Sequence, residues 1–419
     1  MKFTLTGLSL RRFDLTLPRI LLFVAFVLVY NQVLGTASSK PDTSQFTIDA
    51  DYPGGNIIVE RIDANEVRLR QDLRDTEGWW FYWSFRIKGA AGRTLKFTFT
   101  DRNPIGVRGP AVSLDEGKTW SWLGADKVKG ASFTYAFGPE QKDVRFCFTI
   151  PYQQADLDRF LKRHSQNPHL SVHELCKTRR GRTVERIHLG RINRPVKHRI
   201  LLTARHHACE SIANYVMEGL LEAVLAQTED GQWFRNNVEF LALPFMDKDG
   251  VEEGDQGKNR SPHDHNRDYA GKSIYPSVAA LREFVPNWSR GRLHVTLDLH
   301  CPYISGPHNE VIYLVGSANK NIWAEQKKFS GILEDIHTGT LSYKASDNLP
   351  FGKGWNTDKN YGKLKSSSRW ASEIEQVRLA TTIEIPYANV RSETVTASAA
   401  RAFGRDLARA IRKYLESTK

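Results

Sequence analysis

Five short apolar runs are separated by stretches of helical periodicity, and no other feature constrains the fold more. The runs are Ile200–Ala204, Val238–Leu243, Leu293–Leu299, Val311–Val315 and Thr382–Ile385. The helical stretches are Ser211–Ala226, Ser277–Trp288, Asn321–Ile336 and Thr394–Tyr414. Each run is of strand length and apolar on both faces, as in strands that helices cover on both sides. The pattern predicts an α/β domain around a mostly buried, at least partly parallel sheet. In the last helix Val395, Ala399, Phe403, Leu407, Ile411 and Leu415 recur every four residues and form one stripe for burial.

The front of the chain has a different texture. From Phe46 to Pro151 short alternating runs are broken by Gly, Asp, Asn and Pro. They are Asn56–Val59, Glu66–Arg70, Trp79–Ile87, Thr94–Phe99, Ser132–Phe137 and Val144–Ile150. This predicts an antiparallel β-sandwich of about 100 residues. Trp79-Trp80-Phe81-Tyr82-Trp83 reads as a core strand with one wet face, or as a sugar-binding platform. Asp156–Lys162 reads as a linking helix, which divides the chain into 43–152 and 153–419.

Residues 1–19 are basic, Ile20–Tyr30 is an uncharged apolar run, and small residues follow at Gly35, Thr36, Ala37 and Ser38. Such a sequence reads as a signal peptide over 1–37, and hence an exported protein, periplasmic or secreted; an uncleaved signal anchor is the alternative. The run is shorter than the roughly 20 residues of a membrane helix, so no stable span is expected after cleavage. Four cysteines in 419 residues do not make a disulfide scaffold. Lys and Arg number 59 against 47 Asp and Glu, a net charge of +12. That balance suits an acidic substrate or surface. No basic block or DNA-reading motif accompanies it, and no nucleic-acid partner is expected.

The chemistry-bearing residues fall at strand ends. Ile200–Ala204 runs into His207-Ala208-Cys209-Glu210, a His-x-x-Glu that places an imidazole and a carboxylate within reach of one Zn²⁺. Alone, the motif reads more readily as a surface loop before a helix. Leu293–Leu299 ends at His300, where a third ligand would stand, since ligands gather at strand ends of open α/β sheets. Two His and one Glu leave a fourth position for water, as in catalytic zinc sites. Asp298 shares the strand face of His300 and is assigned no role. Glu384 is a lone acid in an apolar run: a base for water, or a paired core acid. Between them lies a long polar loop, Pro244–Tyr269, in which Arg260, Asn266 and Arg267 supply donors for a carboxylate and an oxyanion; a solvated charge cluster is the alternative. Cys209 and Cys301 flank the ligands and read as a disulfide, as two buried thiols, or as groups leaning toward the metal.

In this order, His207-x-x-Glu210, Asn259-Arg260, Asn266-Arg267, His300 and Thr382-x-Glu384 resemble the zinc carboxypeptidases of the carboxypeptidase A type. The aromatic run, the sandwich-like region and Pro151-Tyr152 with Asp156-Leu157 look like the cytosolic carboxypeptidase subfamily, which has an N-terminal β-sandwich. The resemblance implies a mixed sheet flanked by helices and one Zn²⁺ per chain, held by His207, Glu210 and His300. It implies that Arg260 polarises the scissile carbonyl, that Asn266 and Arg267 hold the terminal carboxylate, and that Glu384 is the general base. It places a mobile tyrosine over the specificity pocket near Tyr361 and the residue that sets side-chain preference at Arg369. An arginine there implies a preference for C-terminal Glu or Asp. The chain departs from the family pattern at Ala208-Cys209, at Cys301, and at His263 and His265. The reading is a metallocarboxypeptidase acting on peptide or protein C-termini. Its rivals are a cell-wall peptide amidase and a binding protein on the same fold.

Overall fold

Alternation of apolar and polar residues builds two facing sheets in the N-terminal part. In Thr94–Phe99 the inward residues are Leu95, Phe97 and Phe99, and in Glu66–Arg70 they are Val67 and Leu69. One sheet runs Thr47–Asp49, Ser84–Lys88, Asp143–Cys147, Ala111–Ser113, Ser121–Trp122; the other runs Ile58–Asp63, Glu66–Arg70, Thr94–Phe99, Ser132–Ala136, Val128–Lys129. Between them Phe97 packs on Phe133 at 4.8 Å and on Phe85 at 5.6 Å between ring centroids. The result fits the expected sandwich, with one correction: Glu66–Arg70 and Thr94–Phe99 pair in parallel. The structure, a computed structural model, describes residues 46–192 and 194–418. The signal peptide expected over 1–37 lies outside the described residues.

The aromatic run is not a strand as a whole. Pairing begins at Ser84, and Trp79–Trp83 forms a connecting segment. Trp83 is fully buried in the sandwich, whereas the backbone N–H groups of Phe81 and Tyr82 both donate to the Gln256 Oε1, at 3.2 and 2.9 Å. That amide fastens the front of the chain to the long loop behind it.

The second part is a mixed seven-stranded sheet flanked by helices. Its order is Leu170–Lys177, Thr183–Gly190, Val238–Leu243, His198–Ala204, Leu293–His300, Leu379–Glu384, Tyr313–Val315. The central four strands are parallel, and the outer ones are antiparallel. The first two strands and the helix Glu229–Asn237 were not expected, because they carry no continuous apolar run.

Two glycines fix the helix that follows the His-x-x-Glu motif. Ile212–Leu225 lies so close against Ala397–Ser417 that a Cβ on Gly219 would stand 2.0 Å from the Arg401 carbonyl oxygen. A Cβ on Gly404 would stand 2.0 Å from the Val216 carbonyl oxygen. Only hydrogen side chains permit this backbone approach. Glu218 tightens the contact by accepting from Tyr152 Oη at 2.8 Å and from Arg401 Nε at 2.6 Å.

The parallel register decides where the chemistry gathers. Thr203 stands beside Asp298, and His300 beside Glu384. Three strands therefore deliver their last residues to one end of the sheet, the place where open α/β sheets bind ligands.

Candidate metal and active site

Arg205 makes the turn that carries the first motif. It follows the strand His198–Ala204 with φ of 60°, in the left-handed region. Its guanidinium is fully buried; Nε donates to the Ala208 carbonyl at 2.8 Å, and Nη1 donates to the Tyr152 carbonyl at 2.8 Å and Asn214 Oδ1 at 3.0 Å. The turn is thus held from inside, and His207 and Glu210 both point to the sheet end.

Glu210 lies between two imidazoles. Its Oε1 is 2.7 Å from His207 Nδ1, and its Oε2 is 2.7 Å from His300 Nδ1. One ligand atom from each of the three residues lies within 4.8 Å of the others, and all three residues are buried. Burial opposes the Glu210 charge, yet His207 and His300 hold its carboxyl well below the usual range. Burial likewise opposes a charged His300, and the carboxylates of Asp298 and Glu210 overcome it and raise its pKa.

The outer nitrogens have carboxylates of their own. His300 Nε2 is 2.9 Å from Asp298 Oδ2, and His207 Nε2 is 3.6 Å from Asp264 Oδ1. Asp298 also accepts from Thr203 Oγ1 at 2.7 Å. Carboxylates behind imidazoles are the usual outer support of a metal-binding histidine, fixing its tautomer and ring orientation. Asp298 had been left without a role and Asp264 had not been singled out; the two-residue spacing of Asp298 from His300 was the signal for the first.

Glu384 lies at the end of its strand next to His300, and its Oε2 is buried without a hydrogen-bond partner among the described residues. Burial raises its pKa, the neighbouring Glu210 adds to this, and His300 and Lys258 oppose it. These donors fit a zinc ion: two imidazoles and a carboxylate converge, and a free buried carboxylate oxygen stands beside them.

The four residues open into a cavity of about 250 Å³ that Asn266, Arg267, Tyr361 and Lys258 also line. Asn266 Nδ2 is 3.2 Å from His300 Nε2, and its Oδ1 accepts from the Ser367 backbone at 2.9 Å. The Arg267 guanidinium stacks on Tyr361, 4.8 Å from the ring centroid, and ion-pairs with no carboxylate among the described residues. Trp80 and Phe81 form part of the wall, so the aromatic run contributes to both core and site.

Two expectations are corrected. Arg260 does not face this cavity. Its guanidinium is 2.9 Å from Asp75 and 2.6 Å from Asp255, also pairs with Asp247, and lines a different cavity. Three carboxylates draw it away, while Lys258, two residues earlier, lines the site instead. Arg369 lies behind the wall: it stacks on Tyr361 at 3.6 Å from the ring centroid and reaches the exposed Asp358 at 3.8 Å. Cys209 and Cys301 are buried free thiols, and burial pushes the Cys209 thiol up to about 12.

Comparison with known proteins agrees with this geometry. Residues 157–289, which hold His207 and Glu210, match the family model described as zinc carboxypeptidase. Cytosolic carboxypeptidase 2 of Mus musculus is 24% identical over 337 residues, covering 71% of this chain and 38% of that protein. The Homo sapiens counterpart is 28% identical over 341 residues, covering 71% and 37%. The chain thus spans less than two fifths of the length of these two relatives. A metallo-carboxypeptidase from Burkholderia cenocepacia shares the fold, with a TM-score of 0.73, 21% identity, and coverage of 89% of this chain and 100% of that one.

These relatives overturn the expectation of export. The two relatives above and cytosolic carboxypeptidase 3 of Mus musculus carry a cytosolic name, which runs against the expected export. Among the described residues no helix is long and apolar enough to cross a membrane.

Proposed function

We propose that the chain is a zinc-dependent metallocarboxypeptidase that removes single residues from peptide or protein C-termini. One zinc per chain would be held by His207, Glu210 and His300, with residues 43–152 as a sandwich domain ahead of a catalytic domain over 153–419. The observation that carries the reading is one cavity with complementary ends: a buried His, Glu, His group beside Glu384, and Arg267 with no acidic partner among the described residues.

Each residue then has a task its surroundings suit. Arg267, with Asn266 beside it, takes the substrate's terminal carboxylate through a guanidinium fork. That grip sets the last peptide bond against the buried carboxylates. Glu384, its pKa raised by burial, takes a proton from the attacking water and returns it to the leaving amine. When bound, zinc polarises the carbonyl and lowers the pKa of water. Lys258 brings positive charge to the cavity where Arg260 had been expected.

The preferred terminal residue is acidic in this reading. Lys258 and Arg267 line the cavity, and Arg369 Nη2 is buried behind Tyr361 without a hydrogen-bond partner among the described residues. With Tyr361 displaced, that nitrogen meets a Glu or Asp side chain, whereas an apolar side chain gives it no hydrogen bond and leaves it only the ion pair with exposed Asp358 at 3.8 Å. Mass-spectrometric digestion of a C-terminal peptide library tests this: Glu and Asp should be released first, and equal rates for terminal Glu, Phe and Lys contradict it.

A further inference from the structure

A second, larger cavity lies at the opposite end of the seven-stranded sheet. It holds about 850 Å³ and shares no lining residue with the candidate active site. Arg199 and Arg292 mark the start of two strands whose far ends lead to His207 and to His300. The strand Leu293–His300 alone separates the two ends by roughly 23 Å.

The floor of this cavity is electrically settled. Glu239 accepts from Arg199 Nε at 2.8 Å and from Trp288 Nε1 at 2.8 Å, and lies 3.1 Å from His188 Nδ1. The rim is not. Arg186, Arg194, Arg290 and Arg292 all line it, and none ion-pairs with a carboxylate among the described residues. Four guanidiniums around one concavity repel one another, an arrangement that an anion relieves.

The walls narrow the class of anion. Phe284 and Trp288 are the aromatic surfaces, and Arg186 and Arg199 already cover them, at 4.2 and 5.3 Å from the ring centroids. His173 and His188 add smaller rings to the lining, and the guanidiniums over Phe284 and Trp288 make charge the dominant feature of the walls. An extended acidic peptide sets carboxylates on one side about 7 Å apart. Linked phosphates concentrate more charge in less space, and each suits a guanidinium fork. The volume is that of a small-molecule site.

We propose that this cleft binds a small molecule bearing an oligophosphate group, held by Arg186, Arg194, Arg290 and Arg292. The site is separate from the peptidase chemistry and does not rest on it. Isothermal titration of the full chain with inorganic tripolyphosphate at physiological ionic strength tests the proposal. One site per chain is expected. Arg186→Gln with Arg290→Gln should weaken it at least tenfold with an unchanged melting curve, and Arg292→Gln alone should weaken it as a check on folding. Arg267→Gln, in the other cavity, should leave it intact. No binding, or binding lost only in Arg267→Gln, overturns the proposal. Tighter binding of hexaglutamate than of tripolyphosphate at the same cleft overturns the phosphate assignment.

Discussion

Asp298 Oδ2 lies 2.9 Å from Nε2 of His300, whose Nδ1 faces Glu210 at 2.7 Å. The carboxylate thus holds the ring from behind while the other nitrogen faces the metal position. Asp298→Ala should weaken zinc binding about 10–100-fold without removing a ligand. Asp298→Asn, which keeps a hydrogen-bond acceptor, should lose less. Competition with a chromophoric chelator measures both; unchanged affinity in Asp298→Ala removes its supporting role.

Glu384→Gln preserves size but cannot accept a proton. Turnover should fall by about 10²–10⁴ or more, the usual range for loss of a general base. Zinc content by atomic emission should not change. A variant that loses zinc as well makes Glu384 a ligand.

Arg267 and Arg369 should separate in kinetics. Arg267→Ala should weaken every peptide by about 1.5–3 kcal/mol, because each carries a terminal carboxylate. Arg369→Ala should cost about the same on terminal Glu and spare terminal Phe. Equal losses on both substrates place Arg369 in a structural role through its stack on Tyr361.

His265 supplies a pH dependence of stability. It is buried, its ring stacked on Tyr275 at 3.6 Å between centroids, and burial lowers its pKa to about 4 although the nearby Asp247 opposes this. The unfolded chain, with an ordinary histidine near 6.5, binds the proton more readily. Stability is therefore present above about pH 6.5 and falls as pH drops toward 4, by up to about 3 kcal/mol. Urea denaturation between pH 4 and 7 should show this slope in the native chain, and His265→Gln should flatten it.

Much of the site was legible because it sits at strand ends. His207, Glu210, His300 and Glu384 each follow or end an apolar run, and parallel pairing then brings them together. Arg260 was misread because Asp247 and Asp255 of its own loop, joined by Asp75 from the N-terminal part, close around its guanidinium, a meeting that no local spacing announces. Lys258 is the same case in reverse. The strands Leu170–Lys177 and Thr183–Gly190 escaped because the first is a half-exposed edge and neither is a continuous apolar run. The aromatic run was divided by tertiary structure: Trp83 entered the sandwich core, and Trp80 and Phe81 turned to the cavity.

The most direct test of a carboxypeptidase is the end of its substrate. Paired peptides ending in Glu, one with a free C-terminal carboxylate and one amidated, should be incubated with the zinc-loaded chain and after chelation. The account predicts stepwise release of single residues from the free acid, almost none from the amide, none after chelation, and recovery on adding zinc. Equal cleavage of the amidated peptide, or activity that survives chelation, would contradict it.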